Sequence, residues 1–197
     1  MTVKKLISVA CTAALATLSA GAQAQISGGV VKIGVLTDLS GTYSDLAGSG
    51  AVLATKMAVE DFIAKEKPNF KIEVVSADHQ NKADIASNKA REWFEREGVD
   101  TATELVTTSV ALAVMKVAKE KERIALMSGP ASTPITNEQC NDVTVHYTYD
   151  TYALANGTAR AVTKQGGRSW FFLTADYAFG QALEKDAAAV EIGRAHV

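Results

Sequence analysis

The sequence predicts an α/β protein built on a parallel sheet. Three observations carry that expectation. An apolar strand at residues 31–37 (VKIGVLT) opens at once into a polar, glycine-bearing loop, Asp38-Leu39-Ser40-Gly41. Strand-like and helix-like hydrophobic periods then alternate along the chain. Several of the helical stretches carry one apolar stripe each, as helices laid on a sheet do. Repeated strand–helix–strand units imply a parallel sheet covered on both faces.

The elements follow in order. After the first strand, residues 49–65 put Val52, Val59, Phe62 and Ile63 on one helical face. Residues 70–77 alternate Phe70, Ile72 and Val74 against Lys71 and Glu73, the period of a strand. Residues 83–97 carry Ala86, Ala90, Trp93 and Phe94 on one face, and Gly98 stops that helix. Residues 102–106 form a third strand, made polar by Thr103 and Glu104. Residues 109–121 are strongly apolar, with Val110, Leu112, Val114, Met115 and Val117, and read as a well-buried helix. Residues 124–127 are a fourth strand, followed by Ser128-Gly129-Pro130-Ala131-Ser132. Past Thr136 the rhythm changes. A polar connection holds Cys140, a helix is expected at 152–165, a strand at 169–174 (SWFFLT), and a last helix at 180–190.

The ends of the chain carry their own signals. Lys4 and Lys5 precede an apolar run from Leu6 to Leu18, and Ala22-Gln23-Ala24 follows. That is the pattern of a cleavable secretion signal at residues 1–24. The run is shorter than the ~20 residues a membrane-spanning helix needs. The mature chain is therefore expected to start at Gln25. Residues 192–197 (IGRAHV) back-translate into the start of a common sequencing adapter and read as a non-native tail. On that reading the native chain breaks off inside an unfinished second α/β unit. Residues 151–191 are then expected to pack poorly and to expose Trp170 or Phe172, and ligand affinity to be weak. The domain organisation expected is a first lobe at 25–145, an inter-lobe crossing at 146–150, and the start of a second lobe at 151–191.

Composition excludes some functions. Of the 197 residues 47% are hydrophobic and 21% charged, with a formal net charge of −2. No basic run or basic-aromatic face suggests nucleic acid. His79, His146 and His196 lack metal-ligand spacing, and no metal or other cofactor is expected. Neither Gly48-Ser49-Gly50 nor Gly166-Gly167 completes a nucleotide-binding motif. Asp78-His79 resembles half of an acid–base pair, but no serine or cysteine nucleophile motif accompanies it.

In open parallel sheets ligands bind beyond the C-terminal ends of the strands. Those ends here are residues 38–44, 78–81, 107–109, 128–133 and 174–179, rich in hydroxyls, amides and tyrosines. Ser109 and Ser132 stand at or near expected helix starts, where backbone N–H groups and the helix dipole favour an anion. Taken singly, each reads as a plain helix cap. Their shared rim favours binding, and Thr107, Ser109 and Ser132 are expected to converge on one side of a cleft. Tyr43, Tyr149, Tyr152, Tyr177 and Phe179 could wall an apolar ligand body. Packing between lobes accounts equally well for Tyr152.

The segments IGVLTDLSGTYSDLAG, SADHQNKAD, VHYTYDTYALANGTARA and WFFLTADYAFGQALEKD resemble one family: the periplasmic substrate-binding proteins of branched-chain-amino-acid-type ABC transporters. The resemblance covers residues 31 to about 190. It implies the type I two-lobe fold, here one Rossmann-like lobe plus the truncated start of a second. It implies ligand contacts from Thr107, Thr108 and Ser109 after the third strand and from Ala131 and Ser132 after the fourth. Tyr43, Tyr152 and Phe179 fall where cleft-lining residues stand. The ligands implied are branched-chain amino acids, aliphatic amides or aromatic carboxylates, and the partner is an inner-membrane ABC permease. Two features depart from the family pattern: Thr42 stands where proline is frequent, and Glu104 makes the third strand polar. The resemblance also implies a disulfide partner for Cys140 beyond the residues present. The leading expectation is a periplasmic solute receptor that performs no catalysis. A sensor of the same fold is the alternative, and a secreted hydrolase using Asp78-His79 is third.

Overall fold

The computed structural model describes residues 27–192; the expected signal segment at 1–24 and the tail from 193 lie outside the described residues. A five-stranded parallel sheet organises the chain, with strand order β2-β1-β3-β4-β5. Its strands are β1 (Val30–Thr37), β2 (Lys71–Asp78), β3 (Thr101–Glu104), β4 (Ile124–Met127) and β5 (Thr144–His146). The helices are α1 (Gly48–Glu66), α2 (Ala83–Glu92), α3 (Thr108–Glu120), the single turn α4 (Thr133–Thr136), α5 (Thr151–Lys164) and α6 (Ala178–Ile192). β1 is an interior strand: Ile33 pairs with Val74 of β2 on one side and with Thr101 of β3 on the other.

One face of the sheet carries the core. α2 and α3 lie on it and bury Ala86, Ala90, Val110, Ala111, Val114 and Met115 against Leu36, Ala102, Ala125 and Met127. The apolar stripes read from residues 83–97 and 109–121 therefore find the surface they need. α2 ends in one wide π turn, Trp93–Glu97, and Gly98 at φ 67° lets the Val99 N–H reach back to the Trp93 carbonyl. That turn carries Trp93 and Phe94 into the core.

The opposite face differs from expectation. The stripe on α1 does not bury: Val52 and Val59 are half-buried, while Phe62 and Ile63 are exposed. Val59 and Phe62 instead look onto an apolar cavity of about 470 Å³, bounded on the sheet side by Val31, Ile33, Ile72, Thr103 and Leu126. The helix stands over the sheet with a gap beneath it, and Val59 and Phe62 of the stripe line the gap with Thr55 and Ala58.

Two further corrections concern strands. β3 stops at Glu104 rather than 106, because Glu104 and Leu105 take positive φ of 82° and 59° and turn the chain out of the ladder. The strand expected at 169–174 does not form. A strand requires a ladder partner, and residues 169–174 pair with none of the five strands among the described residues. Phe171 and Leu173 are accordingly exposed and Trp170 is 37% exposed, whereas Phe172 is half-buried. The helices beside this segment pack more closely than the sequence suggests. α5 and α6 pack on each other through Ala155, Ala159 and Ala182. Asp150 caps α5, its Oδ1 accepting from the Ala153 N–H at 2.8 Å. β5 runs up to the expected inter-lobe crossing, and α4 begins directly after Ser132, where a helix start is expected. Cys140 in the polar connection is exposed and free among the described residues.

Candidate functional site

The ends of β1, β3 and β4, joined by the loop before α6, enclose a small pocket of about 150 Å³. Five segments contribute its wall. Tyr43 and Leu46 come from the loop after β1, and Val106, Thr107 and Thr108 from the turn into α3. Gly129 and Ala131 come from the loop after β4, Tyr149 from the stretch before α5, and Tyr177 and Phe179 from the entry and first turn of α6.

Two buried or bonded aspartates shape the first loop. Asp38 is fully buried; its Oδ1 accepts from the Gly41 N–H at 2.7 Å and its Oδ2 from the Tyr43 N–H at 2.9 Å. A Cβ on Gly41 would collide with that carboxylate, so the turn requires glycine. Asp78 accepts from the Leu39 N–H, the Ser40 hydroxyl and the Gln80 N–H. Burial raises its pKa, but these donors outweigh burial and hold the carboxyl below the ordinary range. The loop so fixed delivers Tyr43, whose hydroxyl lies 2.8 Å from that of Tyr177. That hydrogen bond, aided by burial, pushes the Tyr43 phenol up to about 12. Tyr177 in turn stacks on Phe179, with ring centroids 6.2 Å apart.

The polar side is the start of α3. Thr107 is its N-cap residue, yet its hydroxyl does not cap; it donates to Asn81 Oδ1 at 2.9 Å. Thr108 is 1% exposed, and its hydroxyl has no hydrogen-bond partner among the described residues. An uncapped helix start and an orphaned buried hydroxyl thus sit at one pocket wall. Unsatisfied N–H groups and the helix dipole at such an end attract an anion.

The structure brings together Tyr43, Thr107, Thr108, Ala131 and Phe179 of the residues singled out by sequence. It leaves three outside. Ser109 lies within α3 and does not line the pocket, because the helix begins one residue earlier than expected. Ser132 is fully buried behind the wall, its hydroxyl also unpartnered among the described residues. Tyr152 is 57% exposed on the first turn of α5 and points its backbone N–H at Thr133 Oγ1. Of Thr107, Ser109 and Ser132, expected to converge on one cleft wall, Thr107 alone lines this pocket. Leu46, Val106 and Gly129 were missed. Only the Gly129-Pro130 pair flagged a turn there; nothing in the sequence distinguishes Leu46 or Val106 from core residues.

The Asp78-His79 pair is not an acid–base dyad. Asp78 spends its oxygens on the first loop, and His79 is fully buried with its Nδ1 accepting from the Asn81 N–H at 3.0 Å. Burial pushes the imidazole pKa down, so the ring is neutral and structural. No cluster of three or more metal-ligating side chains occurs among the described residues.

Residues 30–191 match the family model described as periplasmic binding protein. Among solved structures, a periplasmic binding protein from Burkholderia mallei is 54% identical, covering 85% of this chain and 44% of its own length, with a TM-score of 0.80. A branched-chain amino acid ABC transporter periplasmic ligand-binding protein from Burkholderia xenovorans is 33% identical over 84% of this chain and 44% of its own, with a TM-score of 0.71. The solute-binding protein of an ABC transporter from Rhodopseudomonas palustris, solved with 3,4-dihydroxybenzoic acid, is 20% identical over 84% of this chain and shares the fold, with a TM-score of 0.71. The chain spans 44% of the length of each. No curated protein matches.

Proposed function

The chain belongs to the periplasmic binding protein family, and from that premise we propose an exported solute receptor of an ABC importer. Its structural neighbours are solute-binding proteins rather than enzymes. The ligand proposed is a small carboxylate with an apolar or aromatic body. The orphaned Thr108 hydroxyl at the uncapped start of α3 carries that reading. The ligand carboxylate is held by Thr108 and by the first backbone N–H groups of α3, Ser109 among them. Tyr43, Tyr149, Tyr177 and Phe179 enclose the body, with Leu46, Val106 and Ala131 beneath it. Branched-chain amino acids and aromatic acids, the ligand classes named for the structural neighbours, both fit this chemistry. Residues 25–145 then form the first lobe, 146–150 the crossing and 151–191 part of a second, and the two lobes present surfaces to a membrane permease. Export by the segment at 1–24 places the receptor in the periplasm; N-terminal sequencing of exported material is expected to begin at Gln25, and an intact Met1 there would refute the processing.

The test is an NMR titration with isoleucine, an aliphatic amide and 3,4-dihydroxybenzoate. A carboxylate ligand is expected to shift the Thr108 and Ser109 amide resonances saturably. Thr108→Val is expected to weaken that binding about five-fold, the worth of one hydrogen bond. The same substitution is expected to leave stability unchanged or slightly raised, since it removes a buried unpaired hydroxyl. Loss of stability without loss of binding would make Thr108 a packing residue and remove the support for this site.

A further inference from the structure

α6 brings an aromatic side to the pocket, with Tyr177 at its entry and Phe179 in its first turn. Among the described residues, side-chain hydrogen bonds tie this helix to the sheet-bearing part of the chain at two places. One is the contact between the Tyr177 and Tyr43 hydroxyls. The other lies about two and a half turns further along the helix. There Asp186 Oδ2 accepts from the Thr133 hydroxyl at 2.6 Å. The ion pair of Lys185 with Glu138 is exposed and long, at 3.7 Å, and adds little.

Thr133 follows Ser132 directly and is the first residue of α4. Its hydroxyl is the hub of a small network. Thr151 is fully buried at the start of α5; its hydroxyl oxygen lies 2.7 Å from Thr133 Oγ1 and accepts from the Thr133 N–H at 3.0 Å. The Tyr152 N–H donates to Thr133 Oγ1 at 3.2 Å. A hydroxyl has one proton and two acceptor lone pairs. The Asp186 carboxylate only accepts, so it takes the Thr133 proton. The Thr151 hydroxyl must then donate, and together with the Tyr152 N–H it fills both lone pairs. One arrangement of protons satisfies every contact and uses the whole capacity of Thr133 Oγ1. The loop before Thr133 is itself anchored to β5, where His146 Nε2 donates to the Pro130 carbonyl at 2.7 Å. One hydroxyl thus joins the anchored loop that supplies Gly129 and Ala131 to the start of α5 and to the middle of α6.

We propose that Thr133 is a positioning residue that holds α6, through Asp186, where Tyr177 and Phe179 close the pocket. The effect on affinity rests on the receptor reading above; the effect on α6 does not. With Asp186 released, α6 keeps its packing on α5 but loses one of its two hydrogen-bonded ties to the sheet-bearing part. Only a fraction of the molecules then holds the polar and aromatic walls together, and apparent affinity falls by that fraction.

The experiment compares the wild type with Thr133→Val, Thr133→Ser, Asp186→Ala and the double variant Thr133→Val with Asp186→Ala. The readouts are the Tyr177 and Phe179 amide resonances and the affinity for 3,4-dihydroxybenzoate. Thr133→Val and Asp186→Ala are each expected to shift both amides and to weaken binding about ten-fold, the lower end of what a hydrogen bond to a charged group contributes. The double variant is expected to bind no more weakly than Thr133→Val alone, since the bond is already broken. Thr133→Ser keeps the hydroxyl and is expected to match the wild type in both readouts. A role confined to local packing would lower stability and leave the Tyr177 and Phe179 amides at their wild-type positions; that outcome overturns the proposal. Additive losses in the double variant overturn it too, as does a Thr133→Ser that behaves like Thr133→Val. Where Thr133→Val does not fold, Asp186→Ala on the half-buried face of α6 decides by the same amide shifts, with Asp186→Asn, which keeps an acceptor oxygen, expected to restore them. Failure of every ligand to bind would count against the receptor reading instead, and the amide positions would still decide the role of Thr133.

Discussion

Replacing Trp93 with alanine is expected to destabilise the protein by about 3–5 kcal/mol, the cost of deleting a large aromatic side chain from a packed core. The residue is 1% exposed and is the largest of the fully buried side chains. Its ring occupies the space above Gly34 in β1: a Cβ on Gly34 would stand 2.5 Å from Trp93 Cζ3. The strand therefore lacks a side chain where the indole rests. Nothing nearby can fill the void, because the facing residue has no atoms to move inward and the π turn fixes the backbone that carries the tryptophan. Since domains of this size are stable by only ~5–15 kcal/mol, the variant is expected to lie close to unfolding at room temperature. The converse change, Gly34→Ala, overpacks the same contact and is expected to cost about 1–3 kcal/mol. Urea denaturation monitored by circular dichroism measures both. A Trp93→Ala loss below about 1 kcal/mol would mean that the α2 face is loosely packed and that this account of the core is wrong.

The core was legible in the sequence because its signal is local and periodic. Ala86, Ala90, Trp93 and Phe94 recur at helical spacing, as do Val110, Val114 and Val117, and all are buried. What the sequence could not reveal depended on neighbours distant along the chain. Phe62 and Ile63 lie on an apolar stripe as regular as the others, but whether a stripe is buried depends on how closely the opposing surface approaches. The run SWFFLT has strand composition, and composition cannot supply a hydrogen-bond partner. At the pocket, position pointed to Thr107, Thr108 and Tyr43, because the loops after parallel strands share one rim. A one-residue shift in the start of α3 was enough to remove Ser109 from the wall, since consecutive helical residues face about 100° apart. Glu104 was visible only as an oddity in a strand. Its placement follows from two positive φ angles that no local pattern announces.

Replacing Asp38 with alanine is expected to abolish ligand binding and to cost about 3 kcal/mol of stability, because each hydrogen bond to a charged acceptor contributes about 1.5–3 kcal/mol and two are lost. Part of that loss is offset, since the substitution also removes a buried charge. The Gly41 and Tyr43 N–H groups would be left without their acceptor, and the turn that aims Tyr43 would no longer be specified. Tyr43 then loses its fixed approach to Tyr177, and with it the aromatic side of the pocket. Asp38→Asn separates the two consequences. An amide keeps one acceptor oxygen but turns its NH₂ toward a backbone N–H, so one of the two bonds is replaced by a donor–donor contact. Stability is therefore expected to fall in the order wild type, Asp38→Asn, Asp38→Ala. Binding of 3,4-dihydroxybenzoate is expected to follow the same order when measured under conditions where circular dichroism finds all three folded. If Asp38→Ala folds and binds like the wild type, the first loop does not depend on its buried carboxylate. Tyr43 would then be positioned by its contact with Tyr177 alone, and the segment before α6, rather than β1, would organise the aromatic wall.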